Sequence, residues 1–133
     1  MKYLLDTHIF LWSLGKSSVL PKRVKEEIKN PANEIYVSAV TLWEIVIKAR
    51  IGKLTLGGIE IPDLLSLGQE IGFQFISLSP EDAISYAALS EVSHFDPFDR
   101  ILIWQAIARR MTMISKDSAF QNFIPHGLRL FWK

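Results

Sequence analysis

The sequence predicts an α/β fold with a mostly parallel central sheet of four to five strands, flanked by helices on both faces. Three observations predict it. Short apolar runs alternate with helix-patterned segments along the whole chain, the order that produces strand–helix–strand units. The first of them, Lys2–Leu5, is a short apolar run ended by Asp6-Thr7, as a buried strand is. No internal repeat, low-complexity tract or Pro/Ser-rich linker divides the 133 residues, so a single domain spanning 1–133 is expected at roughly 100–200 residues per domain.

The elements follow in order. Lys2–Leu5 is an apolar run ended by Asp6-Thr7 and reads as a buried strand. Ile9, Phe10, Trp12 and Leu14 suggest a helix that stops near Gly15. Pro21 opens a charged helix over Lys22–Lys29, and Asn30-Pro31 closes it. Ile35–Val37 reads as the second strand. Ser38 is a good N-cap for a helix over Ala39–Arg50, in which Val40, Trp43 and Ile47 recur at helical spacing. Gly57-Gly58 marks a loop, Ile61–Ile71 a helix and Phe73–Leu78 the third strand. Ser79-Pro80-Glu81-Asp82 supplies a cap, a first-turn proline and early acids for a helix over Glu81–Val92. A buried helix is expected over Arg100–Arg110 and a fourth strand over Met111–Ser115. A short helical turn follows, then a terminal strand over Leu128–Phe131.

Composition narrows the function classes. Hydrophobic residues make up 49% of the chain and the formal net charge is only +1, which excludes intrinsic disorder. The absence of cysteine excludes a disulfide scaffold, a thiolate zinc site, an iron–sulfur cluster and a cysteine nucleophile. No signal-peptide pattern and no apolar run of ~18 residues occurs. A cytoplasmic location without membrane insertion is therefore expected. The mean hydropathy of +0.19 suggests a large core, or an apolar face reserved for a partner.

Charge is unevenly distributed. Residues 1–53 carry nine Lys/Arg against five acids, residues 54–99 carry eight acids and no Lys/Arg, and residues 100–133 carry six Lys/Arg against one acid. An acidic stretch can simply be solvated; the sharper reading has basic segments facing an anionic ligand while carboxylates collect a cation.

Several acids sit where a parallel sheet would gather them. Asp6 follows the first strand, Asp117 follows the fourth, Glu44 lies in the helix after the second, and Asp96 and Asp99 bracket the start of the buried helix. Ligands of open α/β sheets gather outside the carboxyl ends of the strands. Each acid also has a plain structural reading. Asp6 and Asp117 can cap helices, at ~1 kcal/mol apiece. Asp96-Pro97-Phe98-Asp99 reads as a cap, a proline at N1 and an acid facing the helix dipole. Glu44 can pair with Lys48 at i,i+4 for about 0.2–0.5 kcal/mol. None of these readings gives the acids a reason to meet. If they do meet, they repel until protons or a cation neutralise them. Hard divalent cations with oxygen ligands, Mg²⁺ or Mn²⁺, are the natural solution, and such sites catalyse phosphoryl displacement.

Other chemistry is thinly represented. The phosphate-loop, dinucleotide, nucleophile-elbow and zinc-peptidase patterns are all absent. Although His8 and His94 lie two residues from Asp6 and Asp96, structural or surface roles are expected for them and for His126. Met111 and Met113 read as core. Trp12, Trp43, Trp104 and Trp132 read as core or dimer packing. Arg109-Arg110 and Lys22-Arg23-Lys25 are candidate phosphate contacts, more simply explained as solvated faces.

Four segments together carry a family resemblance: Leu4-Leu5-Asp6-Thr7-His8, Ser38-Ala39-Val40-Thr41-Leu42-Trp43-Glu44-Ile45, His94-Phe95-Asp96-Pro97-Phe98-Asp99-Arg100 and Ile114-Ser115-Lys116-Asp117. In order, spacing and total length the chain resembles PIN-domain ribonucleases, specifically the VapC-type toxins of toxin–antitoxin pairs. The Asp96-Pro97-Phe98-Asp99-Arg100 run is the most distinctive of the four. The resemblance implies a PIN-like fold and a metal-dependent endoribonuclease acting as a toxin. It places the acidic quartet on Asp6, Glu44, Asp99 and Asp117, binding one or two Mg²⁺ or Mn²⁺ ions for hydrolysis of RNA phosphodiester bonds. Asp96, Ser115 and Thr7 are secondary candidates, Ser115 standing where many relatives have threonine. Lys116 is a mild departure beside the last acid. The resemblance also implies a homodimer and a small VapB-like antitoxin that inserts a C-terminal segment at the site. Two other functions compete: a catalytically silent module that binds RNA or protein, and an aspartyl-nucleophile phosphatase. The latter is disfavoured because Asp6-Thr7-His8 lacks a second aspartate two residues on.

Overall fold

The computed structural model describes residues 1–90, 94 and 96–132. Its five strands are β1 (Lys2–Leu5), β2 (Glu34–Ser38), β3 (Gln74–Ile76), β4 (Thr112–Ile114) and β5 (Arg129–Phe131), all parallel in the order β3-β2-β1-β4-β5. The expected mostly parallel sheet is thus wholly parallel. The α-helices are α1 (Thr7–Gly15), α2 (Lys22–Lys29), α3 (Ala39–Arg50), α4 (Leu64–Glu70), α5 (Pro80–Ser85) and α6 (Pro97–Ala108), supplemented by 3-10 turns, the longest over Ser118–His126. Among the described residues no helix is long and apolar enough to cross a membrane.

β1 is the centre of the sheet, and its side chains alternate between two cores as strand geometry requires. Tyr3 and Leu5 pack with Ile9, Phe10, Val24 and Leu64 on one face, while Leu4 packs with Leu102, Ile103, Met113, Phe120 and Phe123 on the other. Helices α1, α2 and α4 therefore cover one face; α6 and the 3-10 segment cover the opposite one. Both methionines expected in the core, Met111 and Met113, are buried.

Strand order reverses at β1. The chain first builds outward through β2 to β3, then returns to add β4 and β5 on the other side. The carboxyl ends of β1 and β4 are thus neighbours, with Leu5 in register with Ile114 and Asp6 N–H donating to the Ile114 carbonyl at 3.0 Å. This is the switch point at which open α/β sheets leave a crevice.

Two helices depart from expectation. The stretch read as one helix over Ile61–Ile71 begins as a 3-10 turn at Ile61–Asp63 and is α-helical only from Leu64 to Glu70. The helix expected over Glu81–Val92 ends at Ser85 and continues as a 3-10 turn at Tyr86–Ala88; Val92 lies outside the described residues. Long-range contacts account for the early stop. Trp104 Nε1 donates to Ser85 Oγ at 3.0 Å, Arg100 Nε donates to the Tyr86 hydroxyl, and Arg100 Nη2 reaches the Leu89 carbonyl at 3.3 Å. These fix the chain against α6 and override local helical propensity.

Candidate active site

Asp6 ends β1 and caps α1, so the local structure that stops the strand also points its carboxylate into the crevice. Its Oδ1 accepts from Thr7 N–H at 2.7 Å and its Oδ2 accepts from Ser115 Oγ at 2.8 Å. Ser38 caps α3, and Glu44 emerges on the buried side of that helix one and a half turns later. Glu44 Oε1 accepts from Thr7 Oγ1 at 2.6 Å, and Oε2 pairs with Lys48, the i,i+4 partner expected from sequence. Thr7 and Ser115 thus each hold one of the two buried acids.

Asp99 enters from the first turn of α6. Asp96 caps that helix, its Oδ1 accepting from Asp99 N–H at 3.0 Å, and its other oxygen lies 3.8 Å from Lys48 Nζ. Asp117 follows β4 and caps the next turn, accepting from Ala119 N–H at 2.9 Å. An open cleft of about 590 Å³ is lined by Asp6, Glu44, Asp99 and Asp117 together with Thr7, His8, Trp12, Lys48 and Lys116. The four acids drawn from four chain segments therefore meet. Ser115 stands behind Asp6, and Asp96 serves the helix terminus beside the cleft.

The cleft is electrostatically strained. Burial pushes the Asp6 carboxyl above the usual carboxylate range; hydrogen bonds from Ser115 and Thr7 pull it back and the Glu44 charge pushes it up again, with a net rise. Burial also raises Asp99, to about 6; a hydrogen bond to His94 pulls it back, and the charges of Asp6, Asp96 and Glu44 push it up again. Lys48 loses from burial but gains more from the Glu44 hydrogen bond and the charges of Glu44, Asp96 and Asp99, so its ammonium is held more firmly than usual. Two lysines facing four carboxylates leave an uncompensated negative site.

The PIN domain family profile matches residues 3–123. The chain belongs to the PIN domain family. No curated protein matches it significantly. Among solved structures, this PIN domain is similar to VapBC2 from Rickettsia felis bound to a DNA fragment from their promoter, with TM-score 0.66, 21% identity and 100% coverage of both chains. It is also similar to VapBC-1 from nontypeable Haemophilus influenzae, with TM-score 0.68, 18% identity and coverage of 98% of this chain and 97% of that one. FitAcB from Neisseria gonorrhoeae gives TM-score 0.58 at 20% identity, covering 97% and 96% respectively. At these identities the likeness is one of fold.

Three further residues of this PIN domain have partners that the sequence left open. His94, expected in a structural or surface role, places Nε2 2.9 Å from Asp99 Oδ2. Trp12 packs against the core as expected and also lines the cleft, with Lys116 Nζ 5.7 Å above its ring. Arg109, a candidate phosphate contact, is bound to Asp82 at 2.6 Å. The sequence signal for His94 is its place two residues before Asp96, within the segment that ends in Asp99-Arg100.

The raised Asp99 pKa carries a stability prediction for the cation-free PIN domain. An acid whose folded pKa exceeds its unfolded value of ~3.9 favours the fold when protonated and opposes it once ionised. Asp99→Asn removes that opposition. The variant is expected to be more stable than the parent near neutral pH, by about 1–2 kcal/mol after allowance for solvent screening. The gain shrinks as pH falls from about 6 and vanishes only below the unfolded value of ~3.9, where both states of the parent are protonated. Denaturant melts across that range measure it; a gain that is flat with pH contradicts it.

Proposed function

We propose that this PIN domain is a divalent-cation-dependent endoribonuclease, the toxin of a toxin–antitoxin pair, acting in the cytoplasm as a single domain over residues 1–133. The supporting observation is the convergence of Asp6, Glu44, Asp99 and Asp117 on one cleft whose negative charge two lysines do not balance. An all-oxygen donor set of this kind fits Mg²⁺ or Mn²⁺, both of which prefer carboxylate ligands. A bound divalent ion supplies charge neutralisation and activation of water for attack on a phosphodiester.

The chain's own residues divide the remaining work. Asp6, Glu44, Asp99 and Asp117 would hold the ion. Ser115 and Thr7 fix the direction of Asp6 and Glu44 through the hydrogen bonds at 2.8 and 2.6 Å, so these carboxylates need little reorganisation when the ion enters. Asp96 acts through the α6 terminus and Lys48 rather than as a ligand. Lys116 is exposed over the Trp12 ring, a pairing that suits a backbone phosphate beside a stacked base, as in single-strand recognition. RNA is the proposed substrate because single-stranded segments present both groups freely. A VapB-like antitoxin and a homodimer are the proposed protein partners, in keeping with the similar folds of the VapBC and FitAcB toxin–antitoxin structures.

The test is incubation of the purified chain with total RNA, followed by sequencing of RNA ends. New ends are expected with Mg²⁺ or Mn²⁺, none in EDTA, and recovery when the ion is restored. Cation-bound protein that generates no new ends instead favours a silent binding module, and ends that persist in EDTA contradict metal dependence.

A further inference from the structure

An imidazole stands beside Asp99 and Asp117, next to the cleft they line. Beyond the 2.9 Å approach of His94 Nε2 to Asp99 Oδ2, one donor atom from each of His94, Asp99 and Asp117 lies within 4.8 Å of the others. The ring direction is set independently of Asp99. Phe120 and Phe123 pack edge-on against it, with centroids at 5.8 and 6.3 Å and interplanar angles of 81° and 86°, and the His94 carbonyl accepts from Arg100 Nη1 at 3.1 Å. Both phenylalanines are fully buried. The core of the molecule therefore aims the imidazole at these two acids.

Two donors on one small divalent ion, each about 2.1 Å from it, lie at most about 4.2 Å apart. Donor atoms that all lie within 4.8 Å of one another come within that span by a movement of at most about 0.6 Å. Asp117 is exposed, and only one of its oxygens is engaged, by Ala119 N–H at 2.9 Å, which leaves the other to make that adjustment. Asp6 and Glu44, by contrast, are held by hydroxyl and backbone donors and offer oxygen alone.

We infer that His94 is a nitrogen ligand to the cation at Asp99 and Asp117, and that it makes this site favour Mn²⁺ over Mg²⁺. Magnesium keeps its waters and takes oxygen donors, whereas Mn²⁺, which shares the preference for carboxylates, is the softer of the two and admits an imidazole among them at less cost. The inference rests on the divalent-cation reading above and adds a specificity-determining residue to it.

Pulsed electron paramagnetic resonance on the full chain with one equivalent of Mn²⁺ reads the bond directly. Modulation from directly coordinated ¹⁴N is expected, and labelling histidine with ¹⁵N should replace it without any substitution in the protein. His94→Gln should abolish the modulation, while His8→Gln, which alters the other imidazole at the cleft, should keep it. By calorimetry, His94→Gln should weaken Mn²⁺ binding about tenfold or more and Mg²⁺ binding by less than about threefold. Bound Mn²⁺ without nitrogen coupling, or coupling lost in His8→Gln instead, overturns the His94 assignment and leaves the carboxylate site standing. Failure of the wild-type chain to bind Mn²⁺ at all overturns both.

Discussion

Asp6→Asn is expected to remain folded and to cleave RNA at least about 10²-fold more slowly than the parent, in line with the loss of a preorganised electrostatic group. Asp6 is 8% exposed, sits at the end of the central strand and is fixed at both oxygens. Asparagine keeps the shape and one oxygen for Thr7 N–H, and the Ser115 hydroxyl can turn to accept from the new amide. The fold therefore loses little. The cleft loses the buried carboxylate that the proposed function makes a ligand of the ion. Growth inhibition on induced expression should fall with cleavage, and a circular dichroism melt should show the native transition retained. A folded Asp6→Asn protein that cleaves at the parental rate would remove the basis for the proposed site.

Asp82→Ala is expected to destabilise the molecule by about 2–4 kcal/mol, or roughly 10 °C in Tm, without touching the cleft. One buried carboxylate oxygen of Asp82 accepts from Ser79 N–H at 3.1 Å, Gln105 Nε2 at 3.0 Å and Arg109 Nη2 at 2.6 Å. Gln105 in turn accepts from Ser38 Oγ at 2.6 Å and donates to the Ser77 carbonyl at 3.1 Å. This network ties the ends of β2 and β3 to α5 and α6. Removing its centre leaves the Gln105 amide and the Arg109 guanidinium short of an acceptor in a region closed to most water. Burial pushes the Asp82 carboxyl up, but the Arg109, Gln105 and Ser79 donors outweigh it and hold the pKa below the ordinary range. The stabilisation is therefore present above the unfolded value of ~3.9 and is lost as pH falls through the lower folded value. The gap between parent and variant should be widest near neutral pH and close in acid.

What the sequence could disclose divides along a physical line. Elements with local signals are legible: α3 begins and ends where Ser38 and its apolar spacing place it, and α2 is bounded by Pro21 and Asn30-Pro31. The acidic cleft is legible too, because Asp6 directly and Asp117 closely follow strands, and a parallel sheet sends strand ends to one edge. Features made by long-range contacts are not. The truncation of α5 depends on Arg100 and Trp104, and the aim of His94 depends on Phe120 and Phe123 in a segment that follows β4. The hydrogen bond from Thr7 to Glu44 spans 37 residues and has no local sequence signature. Reading Glu44 as the i,i+4 partner of Lys48 proved compatible with its place at the cleft, since its two oxygens serve the two contacts separately.

Calorimetric titration of Mg²⁺ and Mn²⁺ into the wild-type chain and Asp6→Asn is the most direct measurement of whether these acids make one cation site. Saturable binding to the wild-type protein, abolished or severely weakened in the folded variant, is the predicted result. Equal binding to both proteins, or none to either, would contradict it.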